Sequence, residues 1–120
     1  MTDRAQRSDC LFCRIAAREL AAEIVEESDW AVAFRDVNPQ APTHILIVPK
    51  EHIESLAFLG ERDGALLADM VQMAAHLAAA EGVDGSGWRV VANTGPDAGQ
   101  SVQHLHLHVL GGRLMSWPPG

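Results

Sequence analysis

Basic side chains are scarce in this sequence. Nine Lys and Arg stand against sixteen Asp and Glu among 120 residues, a formal net charge of −7. A protein that neutralises nucleic-acid phosphates needs a basic face, so this balance argues against a generic nucleic-acid binder. Any phosphate site must instead be built locally, from imidazoles and backbone N–H groups. Long apolar runs are missing as well. No segment approaches the ~18 residues that span a membrane, and the opening MTDRAQRSDC has no apolar stretch of signal-peptide kind. Cysteine occurs only twice, and a cytoplasmic setting is expected, where a disulfide is the rarer use of such a pair. Internal repeats and low-complexity segments are absent too.

What is present fits one small domain. Residues 1–8 are polar and expected to be a flexible end, with the domain over 9–120. Apolar residues make up 48% of the chain, enough for one core, and a core this small gains from dimerisation. Asp9 can cap a short helix over 10–20, with Leu11, Ile15 and Ala16 inward. Trp30, Val32 and Phe34 alternate with small or polar residues as in a strand ending at Asp36. Two prolines make 37–42 a turn. Thr43 to Val48 reads as a buried strand, stopped by Pro49. Leu66, Leu67, Met70, Met73, Ala74 and Leu77 recur at helical spacing, with Gly82 just past the end. Further strands are expected at Trp88–Asn93 and Ser101–Leu110, separated by the tight loop 94–99. Links between successive strands are mostly too short for parallel crossovers, so the class is α+β with an antiparallel sheet.

Half of the six histidines fall within five residues, in Gln103-His104-Leu105-His106-Leu107-His108-Val109. Residues two apart on a strand share a face. The three imidazoles therefore stand together, about 6–7 Å apart at Cα, with Leu105, Leu107 and Val109 facing a core. That spacing suits bracketing one phosphate or sharing one metal ion. Two chemistries follow. Three ligands with an open position would make a metallohydrolase. A neutral imidazole is also a good nucleophile toward phosphorus, with neighbours as proton donors or phosphate clamps. A solvated strand face carrying histidine by chance is the bland alternative. Spacing alone does not choose between the two chemistries. Cys10-Leu11-Phe12-Cys13 is a C-x-x-C pair that zinc, redox chemistry or core packing would each explain. His76, on the long helix, reads as a surface or interface residue.

The stretch GQSVQHLHLHVLGG resembles the active-site strand of the histidine triad (HIT) family. The segment FRDVNPQAPTHILIVPKEHI and the tail GGRLMSWPPG resemble its Hint branch, the histidine triad nucleotide-binding phosphoramidases. The resemblance runs from about Cys10 to Gly120. It implies the HIT-like fold: an antiparallel sheet with one short N-terminal and one long helix, as a two-fold homodimer whose interface uses the long helix and the Trp88–Asn93 strand. It implies a purine nucleotide substrate, an AMP conjugate, cleaved at the α-phosphate. His106 would be the nucleophile and form a nucleotidyl-histidine intermediate. His108 would bind a phosphate oxygen, His104 would support from behind or bind metal, and His44 would lie near the phosphate.

The same resemblance assigns Asp36 to the ribose hydroxyls, which a carboxylate accepts as a pair; the residue also suits the turn. Asn93, Gly99, Gln100 and Ser101 would surround the phosphate and leaving group. Ser101 lies out of phase with the histidines on a regular strand, so its hydroxyl reaches the phosphate only if the chain is still turning there. Leu11, Phe12, Ile15, Phe34 and Val37 would form the base slot, some of them doubling as core. Trp117 would reach the partner's site. Cys10 and Cys13 with His52 and His104 would hold a structural zinc, four ligands closing a tetrahedron, with no metal required for catalysis. Rival functions are a dinucleoside polyphosphate hydrolase of the same family, a nucleotide-binding interaction module with incidental turnover, and a metallohydrolase with zinc on all three triad histidines. The family's transferase branch, which carries Gln at the third triad position, does not fit His108.

Overall fold

The computed structural model describes residues 3–120. In chain order it has helix α1 (Leu11–Ala16), strands β1 (Ile24–Glu27), β2 (Ala31–Arg35) and β3 (Thr43–Pro49), and single 3₁₀ turns at Leu56–Phe58 and Glu61–Asp63. Helix α2 (Gly64–Ala80) and strands β4 (Trp88–Val91) and β5 (Leu107–Gly111) follow. The strands form one sheet of order β1-β2-β3-β5-β4, antiparallel at every pairing. The expected α+β architecture with one short and one long helix is thereby met.

The continuous apolar run of β3 has a simple cause: both faces of the sheet are covered. Ala31, Ala33, Ile45, Ile47, Leu107 and Val109 pack with Met70, Met73, Ala74 and Leu77 of α2. Val32, Phe34, Leu46 and Val48 point to the other face, where Cys10, Phe12, Cys13 and Ile15 of the α1 segment meet them. Alanines of β2 face the wide helix and bulky residues face the small one. Each fully buried Ile or Val here contributes about 1.5–3 kcal/mol. Helix α2 ends as its sequence suggests: Gly82 takes φ +75°, and the Val83 N–H reaches the Ala78 carbonyl at 3.0 Å, closing the last turn.

Three expectations change. Helix α1 spans 11–16 rather than 10–20, and its cap is Cys10, whose Sγ accepts the Cys13 N–H. Asp9 is exposed and pairs with Arg7 instead. Arg18, at φ +64°, turns the chain out of the helix. The expected strand 101–110 keeps its alternation but loses most of its ladder: pairing begins only at Leu107, because 101–106 is still crossing toward residue 53, where the Leu105 N–H meets the Ile53 carbonyl at 2.6 Å. Strand β1 and the 3₁₀ turns went unforeseen, being too short to show a period. The N-terminal segment makes contacts of its own. Met1 and Thr2 lie outside the described residues, but Arg4 donates two hydrogen bonds to Asp63 at 2.6 and 2.9 Å, and its carbonyl accepts the His52 N–H at 2.9 Å.

Candidate functional site

Register brings the first two imidazoles together. His44 lies opposite Leu110 and His108 opposite Leu46, so the two histidines are diagonal neighbours on one face, within reach of long side chains. His44 Nε2 stands 2.9 Å from His108 Nδ1. Two fixed groups then determine which nitrogens carry protons. The Gln40 backbone N–H donates to His44 Nδ1 at 2.9 Å, so neutral His44 carries its proton on Nε2. It donates that proton to His108 Nδ1, which leaves the His108 proton on Nε2. His106 is set independently. Its Nδ1 lies 2.7 Å from the His104 carbonyl, which can only accept. Nδ1 of His106 is therefore the donor, and Nε2 keeps the lone pair. The rings of His106 and His108 are 5.0 Å apart. The chain thus presents the His106 lone pair beside the His108 N–H donor, with His106 just before β5 and His108 on it.

Burial keeps His108 neutral. It pushes the imidazole down to about 4, with His106 and His44 adding to the shift and Asp36 opposing it. His44 is lowered for the same reason, again opposed by Asp36.

His106 and His108 line a cleft of about 370 Å³. Leu11, Phe12, Ile15, Phe34 and Val37 also line it, with Asp36 and Ser101. Phe12, Ile15 and Phe34 are buried members of the core, whereas Leu11 (45% exposed) and Val37 (99%) form the lip. The core reading therefore applies to three of the five. Asp36 accepts the Asn38 N–H through Oδ1 at 2.8 Å and keeps Oδ2 at 3.4 Å from His44 Nε2. The turn role and a free carboxylate edge coexist. Ser101 reaches the cleft because the chain is indeed still turning there.

Other members of the expected set stand apart from the cleft. Gln100 is spent on its own loop: Oε1 accepts the Gly95 N–H, and Nε2 donates to the Glu54 and Val102 carbonyls. The N–H groups of Gly99 and Gln100 bond to the Pro96 and Gly95 carbonyls and close the turn. Asn93 does not line the cleft, and neither does Trp117, which is 81% exposed. His76 is exposed and meets Glu26 at 2.6 Å. Sequence reasoning missed Leu20, Ala21, Ala22, Leu46 and Val102 in the cleft wall, and Gln40, whose contribution is a backbone N–H and so carries no side-chain signal. A larger groove of about 530 Å³ runs between β4 and the tail, lined by residues such as Trp88, Arg89 and Leu114. It holds none of the histidines.

Behind the triad lies a second cluster. Cys10, Cys13, His52 and His104 are all buried, with ligand atoms within 4.8 Å of one another. His104 Nδ1 is 3.3 Å from Cys10 Sγ and 3.5 Å from Cys13 Sγ, and His52 Nδ1 is 3.3 Å from Cys13 Sγ. A tetrahedral zinc with ordinary S and N bonds sets S–N edges of about 3.5 Å, so the four donors fit. His104 Nε2–H donates to the Pro49 carbonyl at 2.8 Å, which turns the Nδ1 lone pair to the sulfurs. Burial, with the neighbouring Cys10 adding to it, pushes the Cys13 thiol up to about 11, and burial, with His52 and His106 adding to it, pushes His104 down to about 4. A bound dication would reverse the thiol shift.

Two other metal arrangements fail on hydrogen bonding. His104 has both nitrogens committed away from His106 and His108, so the three triad histidines do not share an ion. Asp36, His44 and His108 also have ligand-like spacing, but the Gln40 N–H occupies the only lone pair that neutral His44 could offer.

Comparison with known proteins supports this picture. The HIT domain model matches residues 17–115. A HIT-like protein of Synechococcus elongatus is 49% identical over 112 residues, covering 93% of this chain and 97% of that one. A 14 kDa zinc-binding protein of Zea mays is 45% identical over 119 residues, 98% of this chain and 92% of the other. Among solved structures, a HIT family hydrolase from Legionella pneumophila superposes with a TM-score of 0.92 at 50% identity, covering 93% of this chain and all of that one. Among the described residues no helix is long and apolar enough to cross a membrane.

Proposed function

The chain belongs to the HIT domain family, and from that membership and the imidazole geometry we propose that it is a purine nucleotide-binding hydrolase of the Hint branch. Its substrates are nucleoside 5′-phosphoramidates and aminoacyl-adenylates, cleaved at the α-phosphate. The observation that carries the reading is the 2.7 Å contact between His106 Nδ1 and the His104 carbonyl, which keeps the Nε2 lone pair available. That nitrogen attacks phosphorus while His108 Nε2–H holds a non-bridging oxygen. The P–N or P–O bond breaks with its electron pair on the leaving atom, which departs as an amine after taking a proton from solvent or as a carboxylate without one. Water then attacks phosphorus, the His106–phosphorus bond breaks with its pair returning to Nε2, and the proton of the water passes to solvent. The base lies against Phe12, Ile15 and Phe34, and Asp36 accepts from the ribose hydroxyls. Ser101 stands on the leaving-group side.

The four-residue metal set plays no part in the chemical steps; zinc there supplies structural cross-linking. A two-fold homodimer completes the reading. Val71 on α2 and Val90 on β4 are exposed apolar residues (48% and 38%) on the elements expected to meet a partner, and the exposed Trp117 side chain is available to one. A cytoplasmic location accords with two buried cysteines outside any disulfide.

The test is hydrolysis of a fluorogenic adenosine 5′-phosphoramidate by the wild type and by His106→Ala, with diadenosine polyphosphate as the competing substrate. The wild type is expected to prefer the phosphoramidate. The variant should lose several orders of magnitude in kcat while still binding AMP. An inert wild type, or a variant almost as active, would falsify the assignment.

A further inference from the structure

The nucleophile does not sit on the sheet. β5 begins at Leu107, so neither His104 nor His106 is fixed by ladder bonds. Two other anchors hold this stretch: the Leu105 N–H on the Ile53 carbonyl, and the side chain of His104, which is fully buried. That side chain is pinned through Nε2 to the Pro49 carbonyl and through Nδ1 to the two thiols. Its own backbone carbonyl is the group that orients His106.

The same four residues hold the base slot. Helix α1 has only six residues, far too few to persist by itself. Its cap is Cys10 and its third residue is Cys13. Between them Phe12 stands edge-on to His104 (centroids 5.9 Å apart) and to His106 (5.1 Å), and walls the cleft. Without a metal, the contacts joining α1 to His104 and His52 are those of thiols, which are weak donors and weak acceptors. His52 Nδ1 faces Cys13 Sγ at 3.3 Å, which ties the 49–53 segment to the same pair of thiols.

We propose that Cys10, Cys13, His52 and His104 form a metal-dependent positioning unit. A bound zinc ion there fixes, at one point, the carbonyl that orients His106 and the helix that carries Phe12. His104 is a positioning residue, acting through His106. The inference rests on the proposed function for its kinetic consequence, but AMP binding and the state of the His106 ring test it independently.

The experiment compares zinc-free and zinc-loaded full-length protein. Readouts are AMP affinity by calorimetry, the imidazole ¹⁵N shifts of His106, and kcat and KM on the phosphoramidate. Removing support from behind a site typically costs about 10–100-fold, and AMP Kd and kcat should each worsen by that order. The His106 signals should pass from a single Nδ1–H tautomer to an exchanging mixture, and all should return with one zinc per chain. His52→Ala, which removes a ligand that does not touch His106, should behave as the zinc-free protein. His52→Cys, which restores a four-ligand set, should recover. If zinc-free protein loses its fold, Cd²⁺ loading takes its place, because the larger ion displaces His104. AMP affinity and His106 shifts that are indifferent to metal content, or to metal identity in that second case, overturn the proposal. A protein that binds AMP in a zinc-dependent way yet hydrolyses nothing leaves the positioning unit standing and removes the hydrolase.

Discussion

His44 sets the proton on His108, so removing it has a calculable consequence. In the intact chain the Gln40 N–H occupies His44 Nδ1, and the His44 Nε2–H occupies His108 Nδ1. His44→Ala deletes that donor and leaves a half-buried nitrogen unpaired. An unsatisfied group of this kind costs about 1–3 kcal/mol. Moving the His108 proton to Nδ1 does not remove the cost, because that N–H then lacks an acceptor, and it turns a lone pair toward the phosphate oxygens and repels them. Either way the lost transition-state stabilisation is about 1–3 kcal/mol, or about 5–150-fold in kcat/KM. The low end applies if water enters the gap and donates in place of the ring. His44→Gln places an amide near the position of Nε2 and should recover most of the loss. The assay is steady-state phosphoramidate hydrolysis by the three proteins, with circular dichroism to confirm the fold and ¹⁵N shifts to read the His108 tautomer. A folded His44→Ala enzyme within twofold of the wild type would refute the tautomer relay, as would a glutamine variant no better than alanine.

Two further perturbations test other parts of the argument. His108 is held near 4 by burial, below its unfolded value of 6.5, so the unfolded chain takes up a proton that the folded chain refuses. Stability from this group is complete above about 6.5 and should fall as pH drops from there toward 4; denaturant midpoints that stay level or rise across that window, with an NMR midpoint for His108 near 6.5, would contradict the burial. Gly112 follows β5 at φ +90°, and a Cβ there would lie 2.9 Å from Cβ of Pro42, so Gly112→Ala should destabilise by about 1–3 kcal/mol, seen as a lower urea midpoint at unchanged slope; a shift within error would mean that this turn relaxes freely.

The alternation in 103–109 correctly assigned Leu105, Leu107 and Val109 to the core under α2, because period-2 burial survives even where ladder pairing does not. It misled about the triad as a unit. His104 faces the same side as its neighbours but lies deeper, against α1 and the 49–53 segment, so it joins the thiols rather than the cleft. No local pattern reveals that, since it depends on where two distant segments dock. The C-x-x-C spacing was ambiguous for the same reason: its meaning comes from His52 and His104, 39 and 91 residues beyond Cys13. In the glycine-containing loop the Gly95 N–H meets the Gln100 side chain and the Gly99 N–H meets the Pro96 carbonyl. Composition signals a turn there without saying which way the donors point.

The charge balance now has a structural reading. Arg35 is the only Lys or Arg lining the cleft among the described residues, and its guanidinium is taken by Glu81 and Glu23. His44 and His108, lowered by burial, bring no fixed positive charge at neutral pH. On the proposed reading, phosphate is therefore held by neutral imidazole donors. Such donors discriminate by direction rather than by total charge. They also avoid the deep trap that a cluster of cations would create for the released monophosphate, whose charge exceeds that of the substrate diester-like phosphate. An acidic chain suits this design. The overall field opposes the anion, the local hydrogen bonds favour it only in the right pose, and departure of the more highly charged product is assisted.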